Sequence, residues 1–444
     1  MTRERTTRRG LLASIVVGTA SLAGCGYQPA GGELVWTESV GSGPGLARAG
    51  DERWVDDGDF LYRIRNRSGT GISYGDDLGF TEFDDARVTA YDSRGQHVWG
   101  GSTDAQYAGD PAVVDGRVYL PLANGSVAAL ERAETDEETA DYRSDDDDAT
   151  VWTTEWTAVD SGSADGSGDG SEANTSETNT SETSSADDGE TAPALAVTAG
   201  SELVVGFHGA GVVAFDAATG DEQFAFEVDD LAVTASDDGA VAGDRAWVVA
   251  TGTDDETVAL TIDTDGTVRA EVSLRSSLDW LETTDSTALL ALEDELWALD
   301  AAGDRQFTVQ RDGSGTPLLV GDRLYRVDTA AGSIVAVDLD SSESVWRRDG
   351  YSLEAVTADA DGVYAVGTAP EMDGCGLFGV TASGEPWWQV PMLEEAGCYG
   401  DLFPVGDRLV LRVGGELYGF HREPGARYTL LSARGYSRFR PNSH

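Results

Sequence analysis

The chain has no lysine in 444 residues, and only four histidines, three cysteines and three methionines. Without lysine there is no phosphate-binding Walker loop and no Schiff-base catalyst. His97, His208, His421 and His444 are scattered, with no HExxH and no Cys/His cluster of the kind that holds zinc. Thirty basic residues face eighty acidic ones, for a formal charge of -50. A phosphate backbone needs a basic footprint, so nucleic acid is excluded as a partner. Beyond residue 25 no segment shows a ten-residue helical stripe, so an all-β chain is expected.

The acidity has its own consequence. A surface this negative repels itself unless salt screens it within a few ångström. The composition resembles that of proteins from extremely halophilic archaea, which implies that most carboxylates are hydrated surface and not sites.

What the sequence does contain is a phrase repeated about every forty residues: a hydrophobic strand ending in an acidic residue, a Gly or Ser turn, then an aromatic strand. Ile334-Val335-Ala336-Val337-Asp338, Ser341-Ser342 and Val345-Trp346 form one copy. Taking the end of the hydrophobic strand as anchor gives Asp92, Glu131, Asp216, Asp263, Asp300, Asp338, Thr381 and His421. Successive anchors are 39, 85, 47, 37, 38, 43 and 40 residues apart, so one step alone breaks the period. A second strand pair precedes most anchors, as in Leu318 to Val320, Gly321-Asp322, then Leu324 to Val327. Two-residue alternation with such connectors reads as antiparallel hairpins. Four-stranded units repeated radially make a β-propeller. Eight blades are expected, with seven as the alternative if the copies around Asp263 or Thr381 are misread. Glu33 to Thr37 is expected to pair into the eighth sheet and close the ring, with Arg427 to Leu431 competing for that position.

At these residues the chain resembles the quinoprotein-type (PQQ-like) repeat, near Ala-hydrophobic-Asp, two variable residues, Thr-Gly, then Trp. Ala214-Phe215-Asp216-Ala217-Ala218-Thr219-Gly220 fits best; Ala336 to Asp338 with Trp346, and Ala90 to Asp92 with Gly95 and Trp99, also match. The resemblance implies that Trp99, Trp346 and Trp387 pack between neighbouring sheets. Quinoprotein dehydrogenases share the repeat, but they carry adjacent cysteines and calcium ligands that this chain lacks. It is more similar to the non-catalytic outer-membrane assembly lipoprotein BamB family, which implies a lipid-anchored eight-bladed propeller.

The N-terminus carries Arg3, Arg5, Arg8 and Arg9 and then an apolar run from Leu11 to Leu22, the pattern of a signal peptide too short to span a bilayer, which takes about 20 residues. Thr7-Arg8-Arg9-Gly10-Leu11-Leu12 resembles the twin-arginine export signal, with ordinary signal-peptide charge as the alternative for Arg8 and Arg9. Leu22-Ala23-Gly24-Cys25 looks like a lipobox, with Cys25 receiving the lipid. Residues 1–24 are then the signal, 25–32 the tether, 33–430 the propeller and 431–444 a tail. The expected location is the outer face of the cell membrane. Cys375 and Cys398 remain as a candidate disulfide, against two free thiols.

The broken period is explained by an insertion. Residues 160–191 are nearly all Ser, Thr, Asp, Glu, Gly and Asn, cannot bury a core and are expected to be disordered. Val151 to Trp156, just before it, is expected to supply the outer strand of the second blade. Asn174 and Asn179 head glycosylation sequons there, as do Asn66 and Asn124 elsewhere. Asp165, Ser167, Asp169 and Gly170 imitate a calcium loop, but Ser176 stands where a bidentate Glu is needed. Gly71-Ile72-Ser73-Tyr74-Gly75 matches a nucleophile elbow, yet it reads as a Gly-rich loop with no helix to follow. Trp387, Trp388 and Tyr399 form an aromatic cluster in an expected loop region near the cysteine pair.

The sequence therefore points to a non-catalytic scaffold with no cofactor and no metal, binding an envelope or extracellular protein, or an extracellular ligand, as a monomer. The alternatives are a PQQ-dependent quinoprotein oxidoreductase and a structural surface module.

Overall fold

Each anchor ends, or in the case of Asp92 directly follows, the third strand of a separate antiparallel sheet. A computed structural model describes residues 31–40, 48–74, 78–132, 149–155, 196–208, 211–227, 231–233, 239–242, 245–252, 257–284, 287–311, 315, 317–370, 372–392 and 397–423. Among these there are eight sheets and no helix. The protein is an eight-bladed β-propeller, so the seven-blade alternative falls. In chain order the blades are 48–102, 112–155, 196–227, 231–274, 278–310, 318–349, 352–391 and, as blade 8, 401–421 joined by 34–39. Thr150–Glu155 is the outer strand of blade 2. Leu34–Ser39 is hydrogen-bonded antiparallel to Glu416–His421. Blade 4 departs from the four-strand plan, because its inner edge is split into Leu231–Val233 and Gly239–Ala242, both paired to Arg245–Gly252.

No blade has a core of its own. The buried hydrophobics form eight clusters, one between each pair of neighbouring blades. Strand alternation does the sorting, since successive side chains point to opposite faces. On Ser126–Glu131, Ala128 and Leu130 meet blade 1 while Val127 and Ala129 meet blade 3. On Ser333–Asp338, Ile334 and Ala336 meet blade 7 while Val335 and Val337 meet blade 5. Such strands are buried on both sides, which is why they read as unbroken apolar runs. Each fully buried Val, Leu or Ile contributes about 1.5–3 kcal/mol.

Candidate functional site

The anchor carboxylates tie down the turn that follows. Asp216 Oδ1 accepts the N–H groups of Ala218 and Thr219 at 3.0 and 2.8 Å, and Asp338 Oδ1 accepts that of Ser341 at 2.9 Å. Asp92 and Asp300 do the same in their turns. These bonds favour the ionised form and hold the Asp216 and Asp338 carboxyls below the usual range, the N–H of Thr219 and of Ser341 acting most strongly.

Beyond the turn, the ladder between the third and fourth strands slips by one residue in all eight sheets. The bulge re-aims the next side chain. That residue is Trp36, Trp99, Trp152, Phe224, Ala270, Phe307, Trp346 or Trp388, and its cross-strand partner is Ala or Gly in seven blades and Thr261 in blade 4. The alanine of the Ala-hydrophobic-Asp phrase thus makes room for the tryptophan. Four of the indoles also reach a backbone carbonyl of the following blade: Trp36 to Ser93, Trp152 to Ala217, Trp346 to Ala382 and Trp388 to Arg422, at 2.8–3.2 Å. In blade 7 the residue at this position is Trp388, and Trp387 is the bulged one. The most repetitive residues are therefore mortar between blades.

Other residues singled out in the sequence fall as follows. Trp387 and Trp388 lie on the strand Pro386–Pro391 and not in a loop, because Pro386 and Trp388 pair with the third strand of blade 7 on either side of the bulged Trp387; Tyr399 nearby is 63% exposed. Cys375 and Cys398 sit with their sulfurs at bonding distance, 1.99 Å, linking blade 7 to the lead-in of blade 8. Asn66 is 5% exposed, and its amide both donates to and accepts from the Tyr107 backbone, so this sequon is a structural clamp. Asn124 is exposed and caps its own turn through the N–H of Ser126. Gly71 to Tyr74 belongs to the strand Leu61–Tyr74, which pairing with Leu78–Tyr91 keeps extended, so these four residues of the elbow motif lie on a strand and not in a loop, and Gly75 lies outside the described residues. His97 is exposed; burial, then Arg408, holds the half-buried His421 below its usual pKa. Among the described residues no group of three or more His, Cys, Asp or Glu could hold a metal. Arg8, Arg9, Cys25, Asn174, Asn179, the calcium-like loop, the 160–191 insertion and Arg427 to Leu431 lie outside the described residues.

Blade 1 departs from the repeat. Its two middle strands run fourteen residues each, where other blades use five to eight. The inner strand stops pairing at Arg48 opposite Ser68, and the outer one at Ser102 opposite Arg87. From Gly69–Phe83 to Tyr74–Leu78 the two strands pair only with each other among the described residues, forming an arm about 20 Å long at the usual strand rise. Among the described residues no strand lies beside either of its edges, which carry backbone donors and acceptors.

At the base of the arm, Arg63, Arg65 and Arg67 alternate on one face, and Arg87 stands directly opposite Arg65. This face looks across the seam toward blade 8, whose Arg412 joins it. Glu52 is the hub: its carboxylate accepts from Trp54 at 2.7 Å and from Arg63 Nε at 2.8 Å, with Arg412 at 3.4 Å. Burial pushes Glu52 up, but those bonds and charges outweigh it and its pKa lies below the usual value. Arg67 Nε holds Asp85 at 2.9 Å. At the inner end of the same blade, burial pushes Asp56 up to about 6 against the opposing N–H of Gly58. The signal for this face was present in the sequence as three alternating arginines, unusual in so acidic a chain.

Cavities among the described residues also lie elsewhere. One of about 360 Å³ between blades 6 and 7 is lined by Arg347, Arg348, Tyr351, Phe378 and Gln389, with Tyr351 stacked on Phe378 at 5.2 Å. Another of about 450 Å³ between blades 5 and 6 is lined by Glu282, Thr283, Thr287, Asp322 and Asp340, and burial raises Glu282. Neither joins a nucleophile to a general base.

Residues 25–222 match the family model of the outer membrane protein assembly factor BamB. The matched stretch takes in the N-terminal strand, blades 1 and 2 and most of blade 3, somewhat less than half of the chain. Among solved structures the chain is similar to BamB from Moraxella catarrhalis, with 11% identity, a TM-score of 0.45, and coverage of 85% of this chain and all of that one. It is also similar to the dihydro-heme d1 dehydrogenase NirN, with 12% identity, a TM-score of 0.46, and coverage of 77% of this chain and 72% of that one. No curated protein matches the chain.

Proposed function

We propose that this chain is a non-catalytic scaffold, exported through Arg8 and Arg9 and held by a lipid on Cys25 at the outer face of the cell membrane, that binds another envelope protein. The observation that carries the binding reading is the arm of blade 1. A two-stranded ribbon with open edges is marginal alone and is a ready template for an added strand. The occupant we assign is an extended acidic segment of the partner, paired along Gly69–Tyr74. Charge is the reason: the edge rises from the face of blade 1 where Arg63, Arg65, Arg67 and Arg87 gather. The match of residues 25–222 to an assembly factor's family model is consistent with such a role.

The test uses membranes and a shortened arm. Ser68 and Asp84 are opposite one another, so residues 69–83 can be replaced by an Asn-Gly turn, which suits a two-residue hairpin. One partner should be recovered with the wild-type chain and lost with the short arm, and hydrogen exchange at Gly69–Tyr74 should slow when it is bound. Equal recovery by both chains would remove the arm from the account. Dye reduction after loading with pyrroloquinoline quinone and calcium would overturn the non-catalytic reading.

A further inference from the structure

We infer that Arg65, flanked by Arg63, Arg67 and Arg87, is the centre of an oxyanion-binding site. The site lies on the body of blade 1, below the arm, and does not depend on the arm for its geometry.

The case rests on what surrounds this guanidinium. Arg65 is half-buried, and its Nε is buried without an acceptor. Five other arginines share that condition at Nε, but each has another partner: Arg245 and Asp263, Arg311 and Asp279, Arg323 and the Ala382 carbonyl, Arg326 and the Gln310 carbonyl, Arg422 and Asp359. Arg65 alone of the six makes no hydrogen bond or ion pair with any described residue. The carboxylates beside it are already engaged. Glu52, opposite Arg65 in the ladder, is held by Arg63, Trp54 and Arg412, and Asp85 is held by Arg67.

A partly desolvated cation with no hydrogen-bonding partner is costly, and neighbouring like charges raise the cost. Burial first, then Arg63, Arg87 and Arg67, hold the Arg65 pKa below its usual value, outweighing the attraction of Glu52. The planar fork of a guanidinium is suited to two oxygens of a carboxylate, sulfate or phosphate. The oxyanion could be free in solution or carried as a side chain on an acidic peptide; both present the same chemistry to Arg65.

The experiment compares the full chain with Arg65→Gln, following thermal unfolding as sodium sulfate replaces sodium chloride at matched ionic strength, and separately as a capped glutamate-rich peptide is added. In the wild-type chain at least one of the two should raise Tm beyond the chloride control, and Arg65→Gln should lose that increment, with the apparent affinity falling at least about tenfold. Sulfate acting alone identifies a free anion, whereas the peptide acting alone identifies a polypeptide carboxylate. In chloride, Arg65→Gln should be at least as stable as the wild type, since it removes an unpaired charge; a structural arginine would instead leave a weaker fold. Equal responses in both chains, or none in either, would overturn the inference. The short-arm chain should keep the response, so failure of the arm reading and failure of this one give different results.

Discussion

The indole Nε1 of Trp346 donates a 2.9 Å hydrogen bond to the backbone carbonyl of Ala382, in the turn of the next blade. The ring lies against Gly384 of that turn, where φ is +84° and a Cβ would stand 2.6 Å from Trp346 Cγ. One side chain thus serves its own blade by fitting over Ala336 and the neighbouring blade by capping its turn. Trp36, Trp152 and Trp388 meet glycines of the following blade in the same way.

Trp346→Phe keeps most of the apolar contact and removes the donor, at an expected cost of about 1 kcal/mol, while Trp346→Ala should cost about 3 kcal/mol. Gly384→Ala should be strongly destabilising in the wild-type chain and less so beside Trp346→Ala, because the steric conflict is then gone. Denaturant unfolding of the four chains gives the coupling directly.

Asp56 should make stability rise on mild acidification. Its folded pKa, about 6, is above the ordinary 3.8, so the folded chain takes up the proton first. Stability from this group is therefore gained as pH falls from above 6 toward 4, by up to about 3 kcal/mol, and is absent at neutral pH. Carboxyls held low, such as Glu52 and Asp216, act oppositely and lose their contribution at more acid pH. Asp56→Asn should flatten the rise between pH 7 and 5 in chemical denaturation without touching the acid limb.

Cys375 and Cys398 close a loop with a sequence separation of 23 residues. Reduction, or Cys398→Ser, should lower stability by about 3 kcal/mol in the chain-entropy account. A double serine variant should lose no more than the single one, and should no longer respond to reductant.

Deleting Leu34–Ser39 should leave Glu416–His421 with an open edge and remove the Trp36 bond to the Ser93 carbonyl. The expected outcome is a lower Tm together with concentration-dependent association through the exposed strand. Light scattering of the truncated chain measures it; a monomer with unchanged Tm would show that this strand does not hold the ring.

The net charge of -50 predicts that added sodium chloride stabilises the fold steeply at first and then levels off as repulsion is screened. Circular dichroism melts across a salt series would record the curve.

Much of this protein is written locally. The anchor Asp, its turn and the following aromatic lie within about ten residues of one another, so eight anchors could be counted without any tertiary information. The same local grammar misled at blade 7, where two adjacent tryptophans compete for one position. Only the slip in the ladder between Gly379 and Val380 selects Trp388. Likewise Asn66 reads as a sequon until Tyr107, forty-one residues away, is seen to occupy its amide.

The sequence by itself determined the period and the hairpin order within each repeat, because capping turns and alternation act over a few residues, while the eight sheets of the structure decided between seven blades and eight. Tertiary structure alone decided which face of each strand meets which neighbour, and that Arg63, Arg65, Arg67 and Arg87 face blade 8. The seam makes the reason plain: Arg412 reaches Glu52 at 3.4 Å across 360 residues of chain, a contact that exists only because the ring brings its last blade back to its first.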